Sequence, residues 1–566
     1  MTRLVIDPVT RIEGHLRIEA EVDGGVVRDA WASGTMFRGI EQILQGRDPR
    51  DAWVFTQRIC NVCTMVHALA SVRAVEDALG ITPPPLAVIV RNLITAFQQV
   101  HDHVVHFYLL HALDWVDAAA ALEGDPAEAA ALGEGASVWY RNSEVEMAAV
   151  KEKLTTFVAS GLLGPLANGY WGHEAYRLPP AADLLAVAHY LQALEWQREV
   201  IKAHAILGGK NPLLQTFLVG GVAIPVDPDS TVALNADRLS ALGSLAETAR
   251  RYVEEVYLPD LLTVAPFYAD WAALGEGTGN FLVHGDVPLD PSGDPASYAF
   301  PGGVILGRDL SSVEPFDRDA VSEEVGRSWY EGNGNALPPL DEDTVPRYTG
   351  PTPPYERLDT DGAYTWIKAP RYDGRPMEVG PLARVLVAYA SGVPRVVELV
   401  DHVLDTLGVP ATALFSTLGR TAARGIETLY LAELIPTMID QLADAMGSGD
   451  RRIHAGDWDP GTWPAEASGA GFHEAPRGTL GHWIHILDGK IANYQCVVPT
   501  TWNASPRDAQ GVPGPYEAAL VGTPTVDASQ PLEVLRTIHS FDPCIACAVH
   551  MVDARGREVG LAKVEG

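Results

Sequence analysis

Two Cys-x-x-Cys pairs at opposite ends of the 566-residue chain constrain its fold more than any other feature. Cys60 and Cys63 form the first pair, and Cys544 and Cys547 form the second. If folding brings the pairs together, they make a four-thiolate socket that exists only in the finished fold. Thiolates select soft metals such as zinc, copper(I), nickel or iron over magnesium and calcium. The spacing therefore favours a metal site that joins both chain ends.

The cysteine pattern alone leaves the occupant of this site open. Zinc ribbons place their second pair about 15 to 20 residues after the first, whereas almost the whole chain intervenes here. Structural zinc in a non-catalytic scaffold and redox-active dithiols both stay open as interpretations. A disulfide framework is disfavoured, because a chain of this length can bury a large core and has only five cysteines.

The residues around the cysteines belong to a longer series of motifs. These are, in order, 7–15 (DPVTRIEGH), 37–41 (FRGIE), 58–67 (RICNVCTMVH), 111–115 (HALDW), 475–483 (APRGTLGHW), 497–503 (VVPTTWN) and 542–550 (DPCIACAVH). The set resembles, in content and order, the signature motifs of nickel–iron hydrogenase large subunits. One Cys-x-x-Cys is a weak signal, but an ordered series that extends from the first ten residues to the last thirty is a strong one.

Apolar periodicity predicts several long helices. Apolar side chains recur at steps of three and four in residues 93–107, 184–201, 239–257, 396–407 and 422–435. Residues 260–378 are rich in Pro, Gly and Asp, which predicts short strands and loops. The resemblance implies a mainly α fold with smaller β elements (α+β), in which a long helical bundle and a small N-terminal sheet surround a buried bimetallic site.

The chain shows no repeat or clear linker. We therefore expect residues 1–550 to form a single large-subunit domain. The resemblance implies that residues 551–566 are a precursor tail, which a dedicated maturation protease removes after insertion factors deliver nickel.

The resemblance also implies a ligand set. Cys60 and Cys544 would bind nickel terminally, while Cys63 and Cys547 would bridge nickel to an iron that carries carbon monoxide and cyanide. The Cys544 thiolate is the expected first proton acceptor, and Glu13 is the expected proton relay beside it. Without the resemblance, Glu13 would be interpreted as a surface carboxylate on a half-buried strand.

Further residues match positions around the iron. Arg477 resembles the arginine above it, and Pro499 and Thr500 fall where a ring and a hydroxyl pack against the cyanides. A guanidinium suits this place because it donates hydrogen bonds without losing its charge.

Four more residues match supporting positions. Asp114 and Asp542 resemble carboxylates that fix the arginine and the cysteine loop, and Arg58 and His67 would orient and electrostatically tune the thiolates. Ordinary roles stay open for three of them: Asp542 as a turn before proline, Asp114 as a salt-bridge partner and His67 as a structural histidine.

A hard-metal site is implied near the C-terminus. Glu41, the backbone carbonyl of Cys496 and the imidazole of His550 match the positions that hold magnesium or a similar ion. The Cys496 sulfur is then a small buried hydrophobe rather than a ligand. Without the motif, Glu41 would be a surface helix residue.

The charge and the cysteine count bear on partners and location. Asp and Glu number 73 against 41 Lys and Arg, a net charge of −32, which disfavours nucleic acid as a partner. The five cysteines leave no set for an iron–sulfur cluster. We therefore expect a small subunit that carries such clusters, in a heterodimer that assembles into a higher oligomer. The sequence has no run of 18 apolar residues and no signal-peptide core. The expected location is cytoplasmic, or at a membrane through partners.

The function implied by the resemblance is the oxidation of H2 to two protons and two electrons. The alternative is a regulatory hydrogenase that senses H2, turns over slowly and signals through a protein partner. Asn61 stands where many members of the family have glycine. This departure, with the long acidic chain, suggests an aerobic uptake type.

Overall fold

The computed structural model describes residues 2–63, 65–161, 166, 170–332, 334–342, 344–351, 357–449, 451–456 and 458–548. The predicted ligand His550 and the predicted tail 551–566 lie outside these residues.

Helices dominate the regular structure, and the mainly α prediction is confirmed. In chain order their bounds are α1 (Ile40–Leu44), α2 (Ala52–Thr56), α3 (Val66–Leu79), α4 (Pro85–Val105), α5 (Pro126–Ala136), α6 (Glu144–Ser160), α7 (Pro180–Val200), α8 (Lys202–Gly208), α9 (Ala236–Tyr252), α10 (Leu258–Val264), α11 (Pro381–Ala390), α12 (Pro394–Leu407), α13 (Thr417–Gly447), α14 (Pro499–Asn503), α15 (Pro515–Leu520), α16 (Leu532–Ser540) and α17 (Ile545–Ala548).

The helical bundle forms where the apolar periodicity predicts it. Helices α4, α7, α9 and α13 pack against one another, and the apolar stripe of α4 is buried in this interface. Helices α4, α7 and α12 each begin with a proline, whose fixed φ suits the first turn and whose missing N–H would have no helical partner there. The chain then continues from α4 into a π-helical segment, His106–His111, that leads to the 111–115 motif.

The strands form small antiparallel sheets. Their bounds are β1 (Thr2–Ile6), β2 (Leu16–Asp23), β3 (Val26–Gly34), β4 (Phe217–Leu218), β5 (Gly221–Val222), β6 (Phe281–Val283), β7 (Asp286–Pro288), β8 (Tyr298–Phe300), β9 (Gly303–Ile305), β10 (Val321–Glu324), β11 (Ala369–Tyr372), β12 (Glu466–Ala475), β13 (Gly478–Leu487) and β14 (Lys490–Val497). Strands β1 to β3 are the predicted N-terminal sheet, and β6 to β11 are the short strands expected within residues 260–378.

A second three-stranded sheet, β12–β13–β14, is not predicted from the sequence. Helix α3 lies directly on β12, and two strand glycines make this close approach possible. A Cβ atom on Gly469 would lie 2.3 Å from the Ala78 nitrogen, and one on Gly471 would lie 2.1 Å from the Ala74 nitrogen. The packing places the start of α3, just after Cys63, against the sheet that carries Cys496.

Among the described residues, the helices that are long enough to cross a membrane all lack the required apolar character.

Candidate metal centre

Each cysteine pair lies in a short turn next to a helix. Cys60 follows the 3₁₀ turn Gln57–Ile59, and Cys63 precedes α3. At the other end of the chain, Cys544 comes between α16 and α17, and Cys547 lies within α17. The Cys63 N–H donates to the Cys60 sulfur at 3.2 Å, and the Cys547 N–H donates to the Cys544 carbonyl at 3.1 Å. The two-residue spacers therefore turn both sulfurs of each pair towards the same point.

The four sulfurs converge, as the spacing of the motifs requires. All lie within 4.8 Å of one another, and all four side chains are buried and outside any disulfide. The Cys60 and Cys544 sulfurs are 3.5 Å apart, and those of Cys63 and Cys547 are 3.3 Å apart. Sulfurs bound tetrahedrally at about 2.3 Å would be separated by about 3.8 Å. These two distances are close to those of a thiolate-bound metal, whereas the Cys544 and Cys547 sulfurs, 2.6 Å apart, lie closer together than a metal-bound pair.

The N-terminal motif closes over the C-terminal turn through its backbone. The Ile545 N–H donates to the Glu13 carbonyl at 2.7 Å, next to a bridge between Glu13 and Cys544. Gly14 has a φ of 86°, and a Cβ atom there would lie 2.3 Å from the Ala546 nitrogen. Only glycine allows the two segments to approach this closely.

The Glu13 side chain is half-buried beside the sulfurs. Burial and, next, the charge of Cys60 raise the pKa of Glu13, while Arg477 and Arg38 oppose the rise. A carboxyl group with a raised pKa exchanges protons more readily near neutral pH.

Arg38 connects the two cysteine turns and is a residue that sequence reasoning missed. Its Nη2 donates to the carbonyl of Ile59, which precedes Cys60, and to that of Ala546 at 3.0 Å, which precedes Cys547. One guanidinium thus joins loops that are 487 residues apart in sequence (546 minus 59). The signal was present, because Arg38 lies in the FRGIE motif beside the predicted ligand Glu41.

Arg477 and Asp542 form a buried ion pair above the sulfurs. Arg477 donates from Nη2 to an Asp542 carboxylate oxygen at 2.9 Å and from Nε to the Asp542 carbonyl at 3.0 Å. Burial alone would lower the pKa of Arg477, but Asp542 and then the cysteine thiolates hold it well above its ordinary value. The second terminal nitrogen, Nη1, is buried and has no hydrogen-bond partner among the described residues.

A small cavity of about 10 Å³ lies on the side of the two predicted bridging cysteines. Its lining residues come from both chain ends and from β12 to α14: Cys63, Val66, His67, Ala475, Pro476, Arg477, Val498, Pro499, Thr500 and Cys547. Thr500 also accepts the Cys544 N–H at 3.1 Å, which fixes the cysteine turn. The predicted residues Arg477, Pro499, Thr500 and His67 thus meet at one place.

The four buried thiols resist collecting negative charge. Burial raises the pKa values of Cys63, Cys544 and Cys547. Burial also opposes ionisation of Cys60, but hydrogen bonds from the other three cysteines hold its pKa well below the ordinary value. Four thiolates together therefore require compensating positive charge, which Arg477 and a bound cation would supply.

Two predicted residues make contacts other than those expected. Asp114 pairs with Arg11 and accepts from His539 Nδ1 at 2.7 Å, and no described hydrogen bond joins it to Arg477. Burial alone would raise the pKa of Asp114, but Arg11 and His539 outweigh it and hold the pKa well below its ordinary value. Arg58 is exposed and donates to the Val54 carbonyl, so no described contact connects it with the thiolates.

Two of the three residues predicted to hold a hard metal lie next to each other. Glu41 accepts the Cys496 N–H at 2.9 Å and the Thr344 hydroxyl at 2.6 Å. The Cys496 thiol is buried, and burial raises its pKa well above the ordinary value, in keeping with a non-ligand sulfur. The third predicted ligand lies outside the described residues.

The surroundings of Glu41 contain more buried carboxyl groups than cations. Lys368 donates to Glu342 at 3.0 Å and to Glu323 at 3.3 Å, and the charge of the buried Glu41 acts on the same lysine without a direct hydrogen bond among the described contacts. Burial raises the pKa of Glu323 to about 8, although Lys368 opposes the rise. An additional cation would favour the ionised form of these carboxyl groups.

Comparisons with known proteins agree with the geometry. A family model described as nickel-dependent hydrogenase matches residues 38–550, and one described as HoxL-like matches residues 3–32. The chain is 50% identical to the uptake hydrogenase large subunit of Bradyrhizobium diazoefficiens, over 99% of this chain and 97% of that one. It is 46% identical to the hydrogenase-2 large chain of Escherichia coli K12, over 99% of each.

Solved structures have the same fold. A nickel–iron–selenium hydrogenase from D. vulgaris Hildenborough superimposes with a TM-score of 0.76 and 34% identity, over 97% of this chain and 100% of that one. The four converging thiols, the motif order and these matches lead to one conclusion: the chain belongs to the nickel-dependent hydrogenase family.

Proposed function

We propose that this chain is the catalytic subunit of an uptake hydrogenase, which oxidises H2 to two protons and two electrons. The observation that carries the proposal is the convergence of four buried cysteine sulfurs from both chain ends within 4.8 Å. Family membership supports nickel as their metal. Relatives named as uptake hydrogenases and hydrogenase chains favour the enzyme over the regulatory sensor.

Cys60 and Cys544 would bind nickel terminally, and Cys63 and Cys547 would bridge it to iron. The asymmetry of the surroundings supports this division. Only the Cys63 and Cys547 side opens into the small cavity, where the unpartnered Arg477 Nη1 can donate to a cyanide and Pro499 and Thr500 can pack against diatomic ligands. The bimetallic centre supplies Lewis acidity for heterolytic cleavage of H2.

The chain itself provides the first steps of proton removal. The Cys544 sulfur would take a proton, and Glu13 would pass it on from its half-buried position. Burial and the charge of Cys60 raise the pKa of Glu13, which suits a group that must both accept and release protons. Asp542 holds Arg477 in place and contributes no proton transfer of its own.

Glu41 and the Cys496 carbonyl would hold magnesium or a similar hard cation together with His550. The surplus of buried carboxyl groups around Lys368 supports a cation there. Residues 551–566 would be removed by a maturation protease once nickel insertion factors have acted.

The electrons released from H2 need a protein partner that carries them away from the metal centre. With four cysteines at the metal centre and Cys496 in a separate buried site, the chain has no cysteines for an iron–sulfur relay. We assign this relay to an iron–sulfur small subunit in a heterodimer or a higher oligomer.

Infrared spectroscopy combined with a turnover assay tests the function. The purified complex should show carbon monoxide and cyanide stretching bands in a region where protein is transparent, and it should reduce an artificial dye with H2. Absence of both the bands and turnover would overturn the proposal. Bands with only slow turnover would favour the alternative of a regulatory hydrogenase that senses H2. Zinc without nickel would favour the alternative of a non-catalytic scaffold with structural zinc.

A further inference from the structure

A buried relay of three side chains, His67, His482 and Tyr494, leads away from the cysteine site. His67 Nδ1 lies 3.0 Å from His482 Nε2, and His482 Nδ1 lies 2.8 Å from the Tyr494 hydroxyl. The residues come from the start of α3, from β13 and from β14, and each is at most 1% exposed. His67 lines the cavity that also contains the Cys63 and Cys547 sulfurs. The relay therefore connects the β12–β14 sheet to the cavity that contains the Cys63 and Cys547 sulfurs.

The side chains of the relay carry a fixed number of exchangeable protons. Burial lowers the pKa of His482 to about 3, so its ring is neutral and carries one proton. The Tyr494 hydroxyl is a phenol, which keeps its proton near neutral pH. A contact between two imidazole nitrogens holds one proton, and its position decides which nitrogen of His67 is protonated.

Two hydrogen-bond directions satisfy these contacts. In the first, Tyr494 donates to His482 Nδ1, His482 Nε2–H donates to His67 Nδ1, and the His67 proton is on Nε2. In the second, every donor and acceptor is reversed, and His67 Nε2 has a lone pair. Thiolates in the adjacent cavity repel a lone pair and attract an N–H. They therefore favour the first direction from one end, and the Tyr494 hydroxyl, which donates to His482 Nδ1 in that direction, favours it from the other.

We propose that Tyr494 and His482 are positioning residues that hold His67 in the tautomer with its Nε2–H directed to the thiolate-lined cavity. This inference rests on the proposed function. A hydrogen bond to a metal-binding thiolate reduces the electron density that the sulfur gives to its metal. The relay would thus tune the centre from a tyrosine that has no described contact with any of its four cysteines.

The test replaces Tyr494 with Phe in the holoenzyme, co-expressed with its iron–sulfur subunit. The variant loses the donor to His482 Nδ1, so the preference for one His67 tautomer is weakened. We expect the carbon monoxide and cyanide bands to move to lower wavenumber, because a thiolate without its donor gives more electron density to the iron. Tyr252→Phe is the matched control: it removes a buried hydroxyl that donates to the His189 carbonyl at 2.8 Å on α7, and its bands should match the wild type.

Substitutions at His482 separate the relay from a general structural effect. His482→Gln keeps a donor to His67 without help from Tyr494, so its bands should stay in place and adding Tyr494→Phe should not move them. His482→Leu has no donor and should shift them, which tests the idea even if Tyr494→Phe fails to accumulate. Unmoved bands in Tyr494→Phe, or identical bands in the Gln and Leu variants, would overturn the relay. Loss of all such bands from the wild type would instead overturn the proposed function.

Discussion

Gly14→Ala tests whether the N-terminal motif closes over the cysteine turn. A new Cβ atom would lie 2.3 Å from the Ala546 nitrogen, and it must retreat by about 0.7 Å to reach the 3.0 Å below which such contacts are essentially never seen. Metal–ligand distances tolerate only about 0.2 Å. The positive φ costs about 1–3 kcal/mol, and overpacking adds about 1–3 kcal/mol. We therefore expect the variant to lose both stability and nickel.

Gly24→Ala separates these two effects. Gly24 also has a positive φ, of 60°, but a Cβ atom there meets nothing within 4 Å. It should lose about 1–3 kcal/mol of unfolding free energy from backbone strain alone and keep its full nickel content. Thermal unfolding and elemental analysis of both purified variants make the comparison. If Gly14→Ala equals Gly24→Ala in stability and in nickel content, the close packing of the two chain ends is refuted.

Three further substitutions test other parts of the site. Glu13→Gln removes the proposed relay, and H2-driven dye reduction should fall by about 10²–10⁴-fold with nickel retained; wild-type rates would contradict the assignment. Arg38→Met removes the hydrogen bonds to both cysteine turns, so nickel content should fall without loss of the helical circular dichroism signal. Full nickel content would contradict the role of Arg38 in joining the two turns. Asp114→Asn breaks a buried ion pair and should cost about 3–5 kcal/mol near neutral pH. The pKa of Asp114 is depressed in the folded protein, so the ionised side chain stabilises the fold above the unfolded pKa of about 3.9, and this stabilisation is lost as pH falls through the folded pKa. Denaturant titrations at several pH values should therefore show that the unfolding free energy of the variant depends less on acid pH than that of the wild type.

The bundle is predictable because its helices have local signals. Periodic apolar side chains and an initial proline predict α4 and α7 closely. The β12–β14 sheet lacks such a signal, since its strands are buried on both faces next to α3 and their glycines matter only for packing against that helix. Close approach between distant segments is a tertiary property that a local pattern does not contain.

The sulfur cluster is predictable from motif order, but its supporting contacts are only partly so. The pairing of Arg477 with Asp542 agrees with the motifs. The actual partners of Asp114 come from the first motif and from α16, and the exposure of Arg58 depends on which way its turn faces. Arg38 lies in a recognised motif, but its partners are the backbone carbonyls of Ile59 and Ala546, which the sequence does not identify.

X-ray absorption at the nickel edge tests the central claim most directly, because it counts the atoms bound to nickel. The account predicts four sulfur neighbours at about 2.3 Å, with the count falling when Cys60 or Cys544 is replaced by serine. A nickel environment of nitrogen and oxygen atoms, or a sulfur count that does not respond to either substitution, would contradict it.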